Sequence, residues 1–306
     1  MQDAQWEREA LLTPTGLVHE IAFHPTGDSF ATPAAAGNVH LWETETLTER
    51  DHSPLTAFDG WIIDLAYAPD GSTLAVAGYH DDVHIWETVD YTVAHVLSWS
   101  MDRPRAITFN RAGTELAVAG HGGRVLIWDW PSPGEPRELA EPDDTVDGLA
   151  YHPDDDYLAV TSRDGTLRLY DPDRYGSPIE TIDVGPRLFP ATFHPNGRYL
   201  VVGEGETGNP GRCHVFRTAD WRKESVITSA AGELRGIAWS PDGRFIAQAG
   251  KAADWAAVDE VGTWRTVNRL GPLSDHLYAV AFAPDSSRVV IAGNGGDVAV
   301  YAVPAR

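Results

Sequence analysis

One pattern returns seven times along the 306 residues. An apolar run ends in an aromatic, a turn residue follows four positions on, and a second large side chain closes a later run. The first aromatics are Phe23, Tyr67, Phe109, Tyr151, Phe193, Trp239 and Phe282, spaced 44, 42, 42, 42, 46 and 43 residues apart. Nineteen residues after each comes Trp42, Trp86, Trp128, Tyr170, Val258 or Tyr301, with Phe216 at twenty-three because the fifth copy carries an insertion. A period in the low forties made of several short β-like runs specifies sheets arranged radially as the blades of a propeller, not a helical solenoid.

Each copy reads as four strands. The first run (IAFHP, LAYAP, IAWSP) alternates around β-formers and ends in a turn. Gly27, Gly71, Gly113, Gly197 and Gly243 occupy one hairpin position that calls for positive φ, and Asp155 and Ser286 replace glycine in the other two copies. Second and third runs (TLAVAG, VHIWE) and a looser fourth (IETIDV, ESVITS) complete the unit. Large residues on both strand faces require every sheet to pack between two others. The expected fold is all-β: one seven-bladed propeller over 1–306, with repeat cores at 18–44, 62–88, 104–130, 146–172, 188–218, 234–260 and 277–303. The seventh copy lacks a fourth run, whereas Glu7–Pro14 resembles one and has no sheet of its own. Residues 7–14 are therefore expected to pair with the last blade, closing the ring and covering an open edge.

An aromatic-x-P-D-G turn, a small-residue strand and then W-E or W-D resembles the WD40-repeat family, here in a divergent, bacterial-type form. Trp42-Glu43, Trp86-Glu87 and Trp128-Asp129 carry the dipeptide, Tyr170-Asp171 is a variant, and Phe216-Arg217, Val258-Asp259 and Tyr301-Ala302 have drifted. The family's Gly-His pair before the first strand is absent from all seven copies and only Asp164 stands before a third strand as the family's aspartate does, so the hydrogen-bond network those residues build around the Trp is expected to be missing. The resemblance implies a protein-interaction scaffold.

Composition removes other classes. With 23 basic and 45 acidic residues, net charge −22, the chain would repel phosphate backbones and anionic bilayers, so neither nucleic acid nor membrane is expected as a partner. Cys213 is the one cysteine, which excludes an internal disulfide and a cysteine-rich metal framework. The N-terminal MQDAQWEREALL has early acids and no apolar stretch, so it is not read as a secretory signal and cytoplasm is the expected compartment. Two lysines against 21 arginines hint at a GC-rich bacterial source.

No cofactor, metal or catalytic residue is assigned. Gly203 to Gly208 fits G-x-G-x-x-G but leads into a strand and carries two glutamates, so it reads as an insertion loop. His24, His152 and His194 share one repeated slot, and His40, His84 and His214 another, which argues for blade packing rather than a shared ion. The clusters Asp81-Asp82, Asp143-Asp144 and Asp154-Asp155-Asp156 match no calcium loop, and no G-x-S-x-G elbow occurs.

Loops entering first strands and leaving second strands should gather on one rim of the central channel. The entering loops offer Trp61, Met101, Arg103, Arg105, Arg187, Phe189, Arg235 and Tyr278; the leaving loops offer Tyr79, His80, His121, Arg163 and Lys251. Arginines and aromatics are the types enriched where proteins bind one another. This rim is the expected binding site for a protein or peptide, acidic in character, with the oligomeric state open. Two alternatives stay open: the arginines offset Asp59, Asp102, Asp147 and Glu233, or the channel mouth serves an enzyme or a small-molecule sensor.

Overall fold

The computed structural model describes residues 6–14, 16–98, 103–139, 142–205, 210–229, 232–251, 253–274 and 276–305. They form seven four-stranded antiparallel sheets. Blade 2 shows the plan: Ile62–Tyr67 innermost, then Thr73–Gly78, His80–Glu87 and Val93–Ser98 outermost. The innermost strand of each blade touches that of the next, and Leu277–Phe282 of blade 7 returns to Ala22–Phe23 of blade 1. No helix of the described residues is long and apolar enough to cross a membrane.

Closure occurs as the sequence requires. Arg8–Leu12 pairs antiparallel with Val298–Ala302, register Leu12 to Val298, and supplies the fourth strand of blade 7. Trp6, buried, clamps the strand by meeting the rings of Phe245 and Phe282 edge-on at 5.2 and 6.4 Å.

The core is divided into seven apolar clusters, each lying between two adjacent blades. Trp86, Trp128, Tyr170, Phe216, Tyr301 and Trp42 each fill the gap toward the preceding blade. Blade 6 corrects the sequence alignment. Ile246, equivalent to Leu74 and Leu116, pairs with Asp259, as those leucines pair with Trp86 and Trp128. Asp259, not Val258, therefore holds the aromatic slot, because this copy's second hairpin is one residue longer. The carboxyl is buried, accepting from Thr266 Oγ1 at 2.6 Å and from Gln248 Nε2; Cys213 Sγ donates to Gln248 Oε1 at 3.2 Å. A polar network thus occupies part of the volume that an aromatic fills elsewhere.

All seven equivalent turn residues have positive φ, from +58° at Asp155 to +76° at Gly27. The repeated histidines are inter-blade fasteners. His24, His152 and His194 place Nε2 3.1, 3.1 and 3.2 Å from the carbonyls of Gly71, Gly197 and Gly243 in the next blade, while Nδ1 accepts a backbone N–H two residues on. Of the second set, His40 bonds Glu49 and stacks on Trp42, His84 meets Trp86 edge-on, and His214 bonds Glu204. The Trp network is reduced rather than absent. Trp42 Nε1 still donates to Thr32 Oγ1 at 2.9 Å, whereas Asp164 is taken up by Thr166 and Arg168.

Candidate functional site

A repeated irregularity builds the channel mouth. In blades 2 to 7 the first strand bulges against the second, skipping Ile63, Arg105, Asp147, Phe189 with Pro190, Arg235 and Tyr278. A bulged residue loses its ladder partner and its side chain is re-aimed. These residues stand four positions before the repeat's first aromatic, as His19 does in blade 1, and all seven line one central cavity of about 240 Å³.

A second tier lies above. The carbonyls of Trp61, Thr145, Arg187, Glu233 and His276, six positions before the aromatic, accept the N–H of the residue following the second strand: Tyr79, Arg163, Gly205, Lys251 and Asn294. This recurring bond sets Arg163 and Lys251 over the cavity. Met101 and Asp102 lie outside the described residues, as do positions 206 to 209 of the glycine-rich insertion.

Charge at the mouth is paired unevenly. Asp147 takes Arg105 Nε at 2.5 Å and Arg163 Nη2 at 3.1 Å. Burial works against its carboxylate, but the two guanidinium groups outweigh it and hold its pKa below the usual range. Glu233 takes Arg235 Nη2 directly and Lys251 Nζ at 3.8 Å. Arg235 also lies over the Phe189 ring at 4.4 Å, and Lys251 over Tyr278 at 5.8 Å. In this cluster of described residues four cations thus meet two acids. The Arg235 Nε and His19 Nε2 atoms are buried with no hydrogen-bond partner. Burial, then Arg105, Arg235 and Lys251, lower the His19 pKa to about 4, so its ring is neutral at pH 7.

Deeper in the channel, Glu20 and Asp64 face the same cavity. Burial and then Asp64 raise the Glu20 pKa to about 8; burial raises that of Asp64 to about 7, against the N–H bonds it accepts from Ile107 at 2.8 Å and Leu65 at 2.7 Å.

To one side lies an aromatic platform. Trp61, 54% exposed, stacks on Tyr79 at 5.7 Å, Arg103 covers Tyr79 at 5.7 Å, and His19 links the platform to Tyr278. Of the residues singled out from sequence, Arg105, Arg163, Phe189, Arg235, Lys251 and Tyr278 converge on the mouth, and Trp61, Tyr79 and Arg103 form the platform. Arg187 is exposed and joins neither group, and His80 stacks on Phe58 away from the cavity. Sequence reasoning missed His19, Glu20 and Asp64; the place of His19 four residues before Phe23, matching Arg105 and Arg235, was the available signal.

The acidic turns have local duties. Asp155 accepts the N–H groups of Arg111 and Ala112 at 2.8 and 2.9 Å. His152, Asp154 and Asp156 lie close enough to share an ion, but both ring nitrogens of His152 are already engaged, by Asp154 N–H and the Gly197 carbonyl.

The family model for the WD domain, G-beta repeat, matches residues 52–87 and 136–171. No curated protein matches the chain. Each match begins on the outermost strand of one blade, Leu55–Thr56 or Arg137–Glu138, and ends on the third strand of the next, so the sequence repeat is offset by one strand from the blade. That offset is what lets an N-terminal strand close the ring. Two matched repeats, set within seven four-stranded blades, support a WD40-repeat β-propeller.

Proposed function

We propose that this propeller is a non-catalytic scaffold that captures an acidic segment of a partner protein at the channel mouth. WD40 propellers generally serve protein interaction. The observation that carries the reading is the charge balance: Arg105, Arg163, Arg235 and Lys251 face Asp147 and Glu233 at the mouth of a protein whose net charge is −22. Such a local reversal of sign focuses the field on one spot and draws anionic groups to it. The Trp61–Tyr79 platform beside it offers rigid amphipathic area at small conformational cost. A second reading, a sensor of small carboxylates, is favoured by the same convergence of ionisable groups on a 240 Å³ cavity.

The test is calorimetric binding of an end-capped Glu-rich decapeptide and its Lys-rich counterpart. The acidic peptide should bind and the basic one should not. Arg103→Glu with Lys251→Glu, both at the rim, should weaken acidic binding at least tenfold with an unchanged melting temperature, since two charge reversals at ~1.4 kcal/mol or more together exceed a factor of ten. Equal binding of both peptides, or no effect of the double reversal, would overturn the proposal.

A further inference from the structure

A buried polar nitrogen without a partner calls for an explanation, since native folds satisfy nearly all such groups. The mouth holds two. Arg235 Nε and His19 Nε2 are both buried, both unbonded and both on the bulge-position residues that line the one cavity, on either side of Tyr278. Arg235 is already fixed by Glu233 and by the Phe189 face, and His19 is fixed edge-on against Tyr278 at 5.0 Å. Each side chain is therefore held in place by contacts that leave this one nitrogen unused. A carboxylate carries two acceptor oxygens on one planar group, one for each nitrogen.

We propose that one carboxylate seats on Arg235 Nε and His19 Nε2, and that His19 takes up a proton when it binds. This deepens the acidic-segment reading and rests on it. The proton follows from the surroundings. His19 faces Arg105, Arg235 and Lys251, whose charges, after burial, keep its ring neutral. Asp147 and Glu233 pair with Arg105, Arg163, Arg235 and Lys251 but, as two acids against four cations, leave a net positive field at His19. A bound carboxylate neutralises that field and pairs with the imidazolium directly. The remaining titratable groups on the channel, Glu20 on the same strand entry and Asp64 on blade 2, have pKa values of about 8 and about 7 and are mostly protonated at pH 6. At pH 6 the proton count therefore isolates His19.

The experiment is titration calorimetry at pH 6 and pH 8 in two buffers of different ionisation enthalpy, which reads protons taken up per ligand bound. The probes are the end-capped Glu-rich decapeptide, a neutral peptide whose only acid is its C-terminal carboxylate, and succinate. If the His19 pKa climbs from about 4 to ~7 in the complex, uptake is near one proton at pH 6 and affinity is about tenfold higher than at pH 8. His19→Gln, which keeps a polar donor, should bind at pH 8 but lose the uptake at pH 6; Glu20→Gln with Asp64→Asn should keep it. Which probe binds tells side-chain, terminal and free carboxylate apart, and binding of succinate alone would keep the seat while overturning the peptide reading. Peptide binding without proton uptake, or uptake unchanged in His19→Gln, overturns this inference and leaves the acidic-segment reading standing. No binding by any probe overturns both.

Discussion

Gly197→Ala should destabilise this protein far more than an exposed turn glycine would, because of a side chain in another blade. Gly197 has φ +71°, and a Cβ there would lie 2.6 Å from His152 Nε2. Left-handed backbone alone costs a non-glycine residue about 1–2 kcal/mol. The ring of His152 would also be displaced, losing its bond to the Gly197 carbonyl and its edge contact with Phe193 at 5.1 Å. A lost hydrogen bond that leaves a buried nitrogen unpaired adds about 1–3 kcal/mol. The carbonyl itself keeps the Thr218 hydroxyl at 2.7 Å, so its share of the loss is small. The sum is about 2–5 kcal/mol by equilibrium urea unfolding. Gly262 is the internal control: φ is +88° and nothing lies within 4 Å of its added Cβ, so Gly262→Ala should cost only the backbone share, about 1–2 kcal/mol. In a His152→Ala background Gly197→Ala should fall to that control value, a coupling of about 1–3 kcal/mol. Equal costs at Gly197 and Gly262, or additive behaviour of the pair, would refute the role given to the histidine.

Removing residues 1–13 takes away the closing strand and the buried Trp6, a loss of at least ~3 kcal/mol from the tryptophan alone, and exposes a strand edge; melting temperature and solubility should both fall, and an unchanged value of each would contradict closure. Glu20→Gln tests the channel carboxyls. A folded pKa of about 8 against an ordinary 4.5 means the fold holds a proton that the unfolded chain has released, so this carboxyl's stabilising contribution is full below about pH 4.5 and is lost as pH rises through about 8. Glutamine keeps the acceptor for the Ile21 N–H and cannot ionise. Its advantage over wild type should grow from nil near pH 4.5 to ~1–2 kcal/mol above pH 8, reduced from the value of a dry site because the carboxyl faces a channel open to solvent. Parallel stability-versus-pH curves for the two proteins would contradict the assignment.

The architecture was legible because it is written in backbone requirements that only a few residue types meet. Positive φ at seven equivalent turns, an aromatic at the end of each first strand and an orphan fourth strand at the N-terminus are all local, so period and turn chemistry expose them. The mouth was half legible. Arg105, Arg235 and Tyr278 share one place in the repeat, but that place faces the cavity only because the first strand bulges there, and a bulge adds no residue that alignment of the copies could reveal. The aromatic slot of blade 6 was misread for the opposite reason. One extra hairpin residue shifted the alignment, and Asp259, an acid in a slot that is elsewhere aromatic, becomes intelligible only with Gln248 and Thr266 beside it.

The two turns that lack glycine show how apparent drift between copies can be compensation across an interface. Where a copy carries histidine before its turn, the next blade has glycine, and a Cβ on Gly71, Gly197 or Gly243 would come within 2.5 to 2.7 Å of that ring. Where it carries alanine, as at Ala68 and Ala283, the next turn still has glycine, but a Cβ on Gly113 or Gly27 would meet only the following proline at ordinary contact distance, 3.6 or 3.5 Å. Where it carries Asn110 or Ser240, that side chain folds back into its own hairpin, accepting the N–H groups of Thr114 and Glu115 or of Phe245. The gap it leaves is crossed from the other side: Asp155 reaches back to the N–H groups of Arg111 and Ala112, and Ser286 Oγ accepts that of Asp242 at 3.0 Å. Five of the seven junctions are thus crossed once, by one partner or the other, and the two alanine junctions by neither. The unit on which substitutions act is the pair of facing turns, so Asp155→Gly should relieve backbone strain and still destabilise, by about 1–2 kcal/mol in urea unfolding, because two N–H groups of blade 3 lose their acceptor. Stabilisation by Asp155→Gly would mean that the turn conformation outweighs the link between blades.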